Sequence, residues 1–341
     1  MKRRSLLPLA LLAAGLAILV PTERSLRQSR TEAQNGTPEK GWVRYVMVGL
    51  GGFRGIISEV LWIRATTLQD EGRYFELVQL ADWITALDPR AAEAWVFNAW
   101  NLSYNVPAML PDHASRLNWV RAGISLLADK AIPANPETPR LYRELGWLYQ
   151  NKVGSDDDPA APFYRLALAR DFSEPRADTV QNQGGRLDAA TVAEIEALFG
   201  HLDWRLAEAH AIYWAWRGLK YASSGFEREA LRRMIRQNAY SLVLAGRFTG
   251  DIAAGRFSTE PDYDIVPGLV SFCEETLRED PREADIYSLT LARLVQMLAH
   301  AERMDEARKL YARLSELLSA AKRPVPTFDE VGDGLWEMQD R

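Results

Sequence analysis

The sequence predicts an all-α protein, an irregular solenoid of helical hairpins preceded by a single N-terminal transmembrane or signal-anchor helix. Three observations predict it. Large aromatic, small and proline residues recur at the offsets of a two-helix repeat. The dipeptides Asp88-Pro89, Asn135-Pro136 and Asp280-Pro281 each stand just before a new amphipathic stretch, where proline closes one helix and the next begins. At the N-terminus, three basic residues lead into an apolar run.

The chain can bury a large core, since 47% of its 341 residues are hydrophobic; its length suits two domains or one long array. A formal net charge of -5 argues against a nucleic-acid partner, because a phosphate-backbone binder carries a basic excess or stripe. Eleven Trp and twelve Tyr suit helix packing at repeat contacts, and also an interaction surface. A single cysteine, Cys273, excludes an internal disulfide and a thiolate metal cluster.

Residues 1–21 read as the anchor. Lys2, Arg3 and Arg4 precede fifteen residues from Leu6 to Val20 that are short of the ~20 that span a bilayer, with Ser5 and Pro21 at the edges extending the reach. A cleavable signal wants a small-x-small site after the apolar run, whereas Gly15-Leu16-Ala17 lies inside it, which favours an uncleaved anchor. The basic start keeps the N-terminus cytoplasmic and the bulk of the chain extracytoplasmic, while Arg24, Arg27 and Arg30 pull the other way. The expected location is the cytoplasmic (inner) membrane, single-pass, with the repeats periplasmic.

Residues 22–41 form a polar linker and 42–57 a membrane-proximal, Gly-rich segment. Arg44, Arg54 and Glu59 make a second span costly. The cluster from Gly49 to Gly55 lacks the third glycine of a dinucleotide fingerprint and the Gly-Lys-Ser/Thr of a phosphate loop, so it reads as a hinge.

The repeats follow. Trp214, Gly218, Tyr221, Gly225 and Ala230 stand at spacings of four, three, four and five. Tyr142, Leu145, Gly146 and Tyr149 repeat the frame; Leu61, Ala65 and Leu68 recur as Trp95, Ala99 and Leu102, each 34 residues on, with Gly72 and Tyr74 at the inter-helix turn. Met304-Asp305-Glu306-Ala307, with Tyr311 and Leu314, reads as a last second helix. This pattern resembles the tetratricopeptide repeat family over roughly residues 58–321, in which the aromatics pack between helices and the small residues let them approach. The resemblance divides the chain into N-terminal repeats (58–172), a loop (173–190), C-terminal repeats (191–321) and a tail (322–341). An insert at 107–111 delays one second helix, and the stretch from Gly246 to Pro267 is irregular. Within it, Arg247-Phe248-Thr249 and Arg256-Phe257-Ser258 echo each other nine residues apart, as a paired turn or by chance.

The sequence predicts no catalytic, cofactor or metal residues. His113, His201, His210 and His300 lack the spacing of zinc hydrolases and read as surface or packed histidines. Asp156-Asp157-Asp158 has no calcium-loop glycine and reads as a solvated turn. Cys273 lies in a helical stretch with no histidine close in sequence.

In tetratricopeptide arrays the first helices line a concave face that holds peptides or partner helices. The resemblance puts Trp62, Thr66 and Gln69, then Val96, Trp100 and Ser103, then Arg143, Trp147 and Gln150 on that face as a protein-binding groove. Trp100 and Trp147 share one repeat position, so two indoles either face the groove from adjacent helices or are buried against the inserts. The carboxylate clamp of chaperone-binding members is missing there. Asn98, Asn101 and Asn105 form an amide stripe against helix propensity; it either binds a partner's backbone or ties the insert at 107–118 to the array. The expected function is a membrane-anchored scaffold for protein components of a cell-envelope complex in transport, secretion or surface assembly. A solenoid-based enzyme, or a sensor of peptide or glycan, is the alternative from another class.

Overall fold

The computed structural model describes residues 54–173 and 187–336. The chain divides into two compact units, Met1–Ile56 and Ile57–Arg341, and everything below concerns the second apart from the first turn of α1. The anchor, the polar linker and most of the Gly-rich segment lie outside the described residues, as does most of the 173–190 loop. Among the described residues no helix is long and apolar enough to cross a membrane.

The all-α expectation holds for almost all of the described chain. Helices α1 (Arg54–Asp70) and α2 (Tyr74–Leu87) meet through a three-residue turn in which Gly72 takes φ 69°, a left-handed conformation that costs glycine nothing. Ala65 and Leu68 of α1 pack on Leu77, Leu80 and Ile84 of α2, with Trp62 set edge-on to Phe97.

The next three helices widen near their C-termini. Helix α3 runs as Ala92–Trp100, a π-helical turn Asn101–Asn105 and a last α turn Val106–Ala108. Helix α4 repeats the pattern as His113–Ser125, Leu126–Ala131 and Ile132–Ala134. In both, a proline (Pro107, Pro133) follows the π turn. Its missing N–H and its ring exclude the ordinary bond to the carbonyl four residues back, so widening relieves the crowding. Helix α5, Pro139–Trp147 and then Leu148–Val153, has no such proline; its π turn ends where the Gly154 N–H reaches Tyr149 O at 2.9 Å.

Two of the Asx-Pro dipeptides, Asp88-Pro89 and Asn135-Pro136, fall between these helices, and their proline carbonyls are used. Trp95 Nε1 donates to Pro89 O at 2.9 Å and Tyr142 Oη to Pro136 O at 2.8 Å, in each case from an aromatic six residues past the proline. Asn135 Nδ2 also donates to Pro89 O at 2.8 Å, tying one turn to the next. Neighbouring units here stand 47 residues apart, the separation of Glu93 from its ion-pair partner Arg140 and of Tyr104 from Asn151. That exceeds the 34 of the regular repeat because the helices are longer and carry the 107–111 connection.

Helices α6 (Ala161–Asp171), α7 (Ala189–Phe199), α8 (Ala207–Leu219) and α9 (Gly225–Ala245) follow. Helix α8 is apolar nearly all round, as a helix packed on several sides must be, and lies against α5 and α9. The signature residues meet there. A side chain at Gly146 would come within 2.7 Å of Met234 Sδ, one at Gly218 within 2.9 Å of Tyr142 Cβ, and Tyr142 stacks on Tyr221 at 5.6 Å. A capping box of Ser224 and Glu227 opens α9.

The echo in the irregular stretch is a β-hairpin. Strand β1 (Arg247–Phe248) pairs antiparallel with β2 (Thr259–Glu260), Asp251 bridges Arg256, and Phe248 meets Phe257 edge-on at 5.3 Å. Glycines at 246, 250 and 255 break the helical pattern, and β-branched and aromatic residues fill the arms. Helices α10 (Val266–Glu279), α11 (Ala284–His300), α12 (Met304–Ala320) and α13 (Phe328–Gly332) complete the chain, with α12 and α13 both on α11.

Candidate interaction surface

The surface is built where α3 and α5 lie side by side. Trp100, the last residue before the π turn of α3, is 40% exposed, yet its indole is fixed from two directions. It stacks on Tyr104 at 4.6 Å and donates from Nε1 to Glu144 Oε2 at 3.1 Å. Glu144 is buried and also accepts from Arg143 at 2.6 Å.

Tyr104 is the centre of the arrangement. Burial pushes its phenol pKa up, the Glu144 and Asp157 charges add to the effect, and the neighbouring Trp147 indole opposes it. The hydroxyl therefore stays protonated at neutral pH and donates to Asn151 Oδ1 at 2.9 Å. The Lys152 ammonium stands 5.0 Å from the Tyr104 ring centroid. It is itself paired with Asp158, which Arg116 approaches at 3.6 Å. Burial of Asp158 raises its pKa, but the Lys152 hydrogen bond, the Ala160 N–H and the two cationic charges outweigh that and hold the carboxyl below the usual range.

The sequence-predicted groove residues are placed unevenly. Trp100 and Trp147 come together around Tyr104, Trp147 half-buried and Trp100 exposed. Arg143 is half-buried beside them, and Gln150 accepts from Asn238 Nδ2 of α9 at 3.0 Å. Val96 is buried, and so is Ser103, whose hydroxyl fills the space beside Gly123 of α4. On α1, Trp62 packs on Phe97, while Thr66 and Gln69 are exposed.

The amide stripe has its own partners. Asn98 Nδ2 donates to Asp82 Oδ1 of α2 at 3.1 Å, Asn101 Nδ2 to Phe97 O at 2.8 Å, and Asn105 Nδ2 to Asn101 Oδ1 at 2.6 Å. None of these bonds reaches the 107–118 connection. The amides brace the π turn and the α2–α3 contact.

The sequence reading missed Tyr104, Glu144, Asn151 and Lys152. Its frame was a regular α-helix, and an i→i+5 turn shifts the residues in and after it by part of a turn, bringing Tyr104, Asn151 and Lys152 onto the face out of that register, while Glu144 reaches Trp100 only through the packing of α5 on α3. The 47-residue offset between Trp100 and Trp147 was the available signal. Asp156 and Asp157 are solvated as expected for a turn, whereas Asp158 is drawn into the Lys152 network.

Elsewhere, His201 is exposed and its Nδ1 lies 3.0 Å from Glu196 Oε1, while His113 and His300 are also exposed. His210 is fully buried on α8, stacked on Tyr149 at 4.7 Å. Cys273 is buried on α10. Among the described residues no three His, Cys, Asp or Glu side chains could share a metal ion.

No protein-family model matches the chain, and no curated protein matches it. The described chain is a helical, repeat-like protein whose α3–α5 surface presents a braced aromatic cluster.

Proposed function

We propose that the chain is a membrane-anchored scaffold of tetratricopeptide-like hairpins that holds protein components of a cell-envelope complex. Residues 1–21 tether it to the inner membrane, and the repeats act on the extracytoplasmic side. The observation that carries the binding part is Trp100. An exposed indole locked by Tyr104 and Glu144, with Trp147 and Arg143 alongside, supports a contact hot spot, because Trp, Tyr and Arg dominate such spots and a fixed side chain loses little entropy on binding. The anchor part is supported by the basic start and the apolar run that follows it.

The test is a pull-down of the tagged full-length protein from native membranes, comparing wild type with a Trp100→Ala, Trp147→Ala variant whose melting temperature has been checked. Envelope proteins captured by wild type and lost from the variant are expected. Equal capture by both, or no specific partner for wild type, would sink the reading. A reporter fused after residue 341 reads out the side of the membrane, and cytoplasmic activity would overturn the periplasmic assignment.

A further inference from the structure

A second surface lies between α9 and α11. Both helices pack on α10, and their facing sides leave a groove of about 430 Å3 between them.

The groove has a distinct chemistry. Glu229, Arg233, Gln237 and Tyr240 face it from α9, and Ile286, Leu289 and Arg293 from α11. These recur three or four residues apart, so each set is one face of its helix. Arg236, beneath, is buried and satisfied by Glu283 at 2.9 Å, so it shapes the floor. Arg233 pairs with Glu229 at 2.8 Å, both half exposed in water, where such a pair is weak and easily exchanged. Arg293 is exposed and makes no ion pair or hydrogen bond among the described residues. The Tyr240 hydroxyl likewise makes no hydrogen bond among them. Ile286 is 38% exposed beside these donors. In a chain with a net charge of -5, a groove in which the Arg293 guanidinium has no carboxylate partner among the described residues, beside an apolar wall, is locally complementary to an anionic, partly apolar ligand.

We propose that this groove binds an acidic segment of a partner protein, with carboxylates on Arg233 and Arg293 and an aliphatic side chain against Ile286 and Leu289. The proposal rests on the scaffold reading for the existence of a protein partner, and it names the chemistry of one. Length favours a segment over a free anion. Glu229 to Tyr240 covers about 16 Å of helix, enough for about five extended residues. A bound carboxylate displaces Glu229 from Arg233 and gains Arg293 and the Tyr240 hydroxyl as donors.

The experiment selects peptides from a random twelve-residue library on the purified full chain and measures their affinity by fluorescence anisotropy. The expected result is enrichment of peptides with clustered Asp or Glu flanking Leu or Ile. Their binding should fall by at least about tenfold with Arg233→Gln, Arg293→Gln, and weaken with added salt. Both arginines are exposed, so the variant keeps its melting temperature. No enrichment of acidic peptides, equal binding to the variant, or competition by inorganic phosphate as effective as by peptide would each overturn the proposal. The Trp100→Ala, Trp147→Ala variant run alongside separates the two ideas. Native partners that need the indoles but not the arginines, with no acidic peptides selected, leave the scaffold standing and remove the groove.

Discussion

The buried imidazole of His210 should make the stability of this protein depend on pH in a way that one substitution removes. His210 is 1% exposed, stacked on Tyr149, and set edge-on to Phe172 at 4.7 Å and Trp204 at 6.0 Å. Its Nε2 lies 2.9 Å from Trp204 O; a carbonyl only accepts, so that nitrogen carries the proton. Nδ1 has no partner among the described residues, so a second proton would put a buried charge against aromatic rings with nothing to accept from it. Burial accordingly lowers the pKa to about 4, the bond to Trp204 opposing only weakly. Between pH 6.5 and 4 the unfolded chain then binds more protons than the folded one. The stabilisation is present above the unfolded value and is lost as pH falls towards the folded one. From pH 8 to pH 5 the loss is roughly 2 kcal/mol. Equilibrium unfolding in urea at the two pH values, followed by tryptophan fluorescence, measures it. His210→Phe should cost about 1 kcal/mol at pH 8 for the lost hydrogen bond, while its pH 8-to-5 loss shrinks by roughly 2 kcal/mol relative to wild type. His210→Gln, a smaller side chain, should show the same flattening. If both variants retain the wild-type pH dependence, the imidazole is not the group that titrates and the reasoning fails.

Glu208, two residues earlier on the same helix, has the opposite sign. Burial raises its pKa, so its folded form holds a proton more tightly, and its contribution is full at low pH and lost as pH rises; Glu208→Gln should raise the melting temperature at pH 8 and leave it unchanged at pH 4. Gly146→Ala places a Cβ 2.7 Å from Met234 Sδ and 3.2 Å from Ala211 O, so it should destabilise by about 1–3 kcal/mol, whereas Gly225→Ala, where a Cβ meets nothing within 4 Å, should cost far less in the same melt. Glu283→Ala leaves the buried Arg236 guanidinium without its carboxylate and should cost about 3–5 kcal/mol in urea unfolding. A much smaller loss would mean that water reaches Arg236 in the folded state.

The sequence by itself determined the helical class and much of the punctuation. Asp88-Pro89, Asn135-Pro136 and Asp280-Pro281 mark breaks between helices because proline's missing N–H acts within a few residues, whatever the rest of the chain does. The small residues at 146 and 218 mark close helix contacts for a similarly local reason, since nothing larger fits where two backbones meet. The surfaces were decided by tertiary structure. Trp100 is held by Glu144, 44 residues away, and Tyr104 by Asn151, 47 residues away, and no local propensity encodes a partner at that distance. The π turns in α3 and α5 then shift the register that a regular helix would assign, burying Ser103 and bringing Lys152 to Tyr104. The echo at 247–249 and 256–258 became legible as a hairpin only once its arms were paired, and the α9–α11 groove only once both helices had packed on α10. Local chemistry sets where this chain turns; which side chains then meet depends on helix register and spacing, which are fixed only when the helices pack.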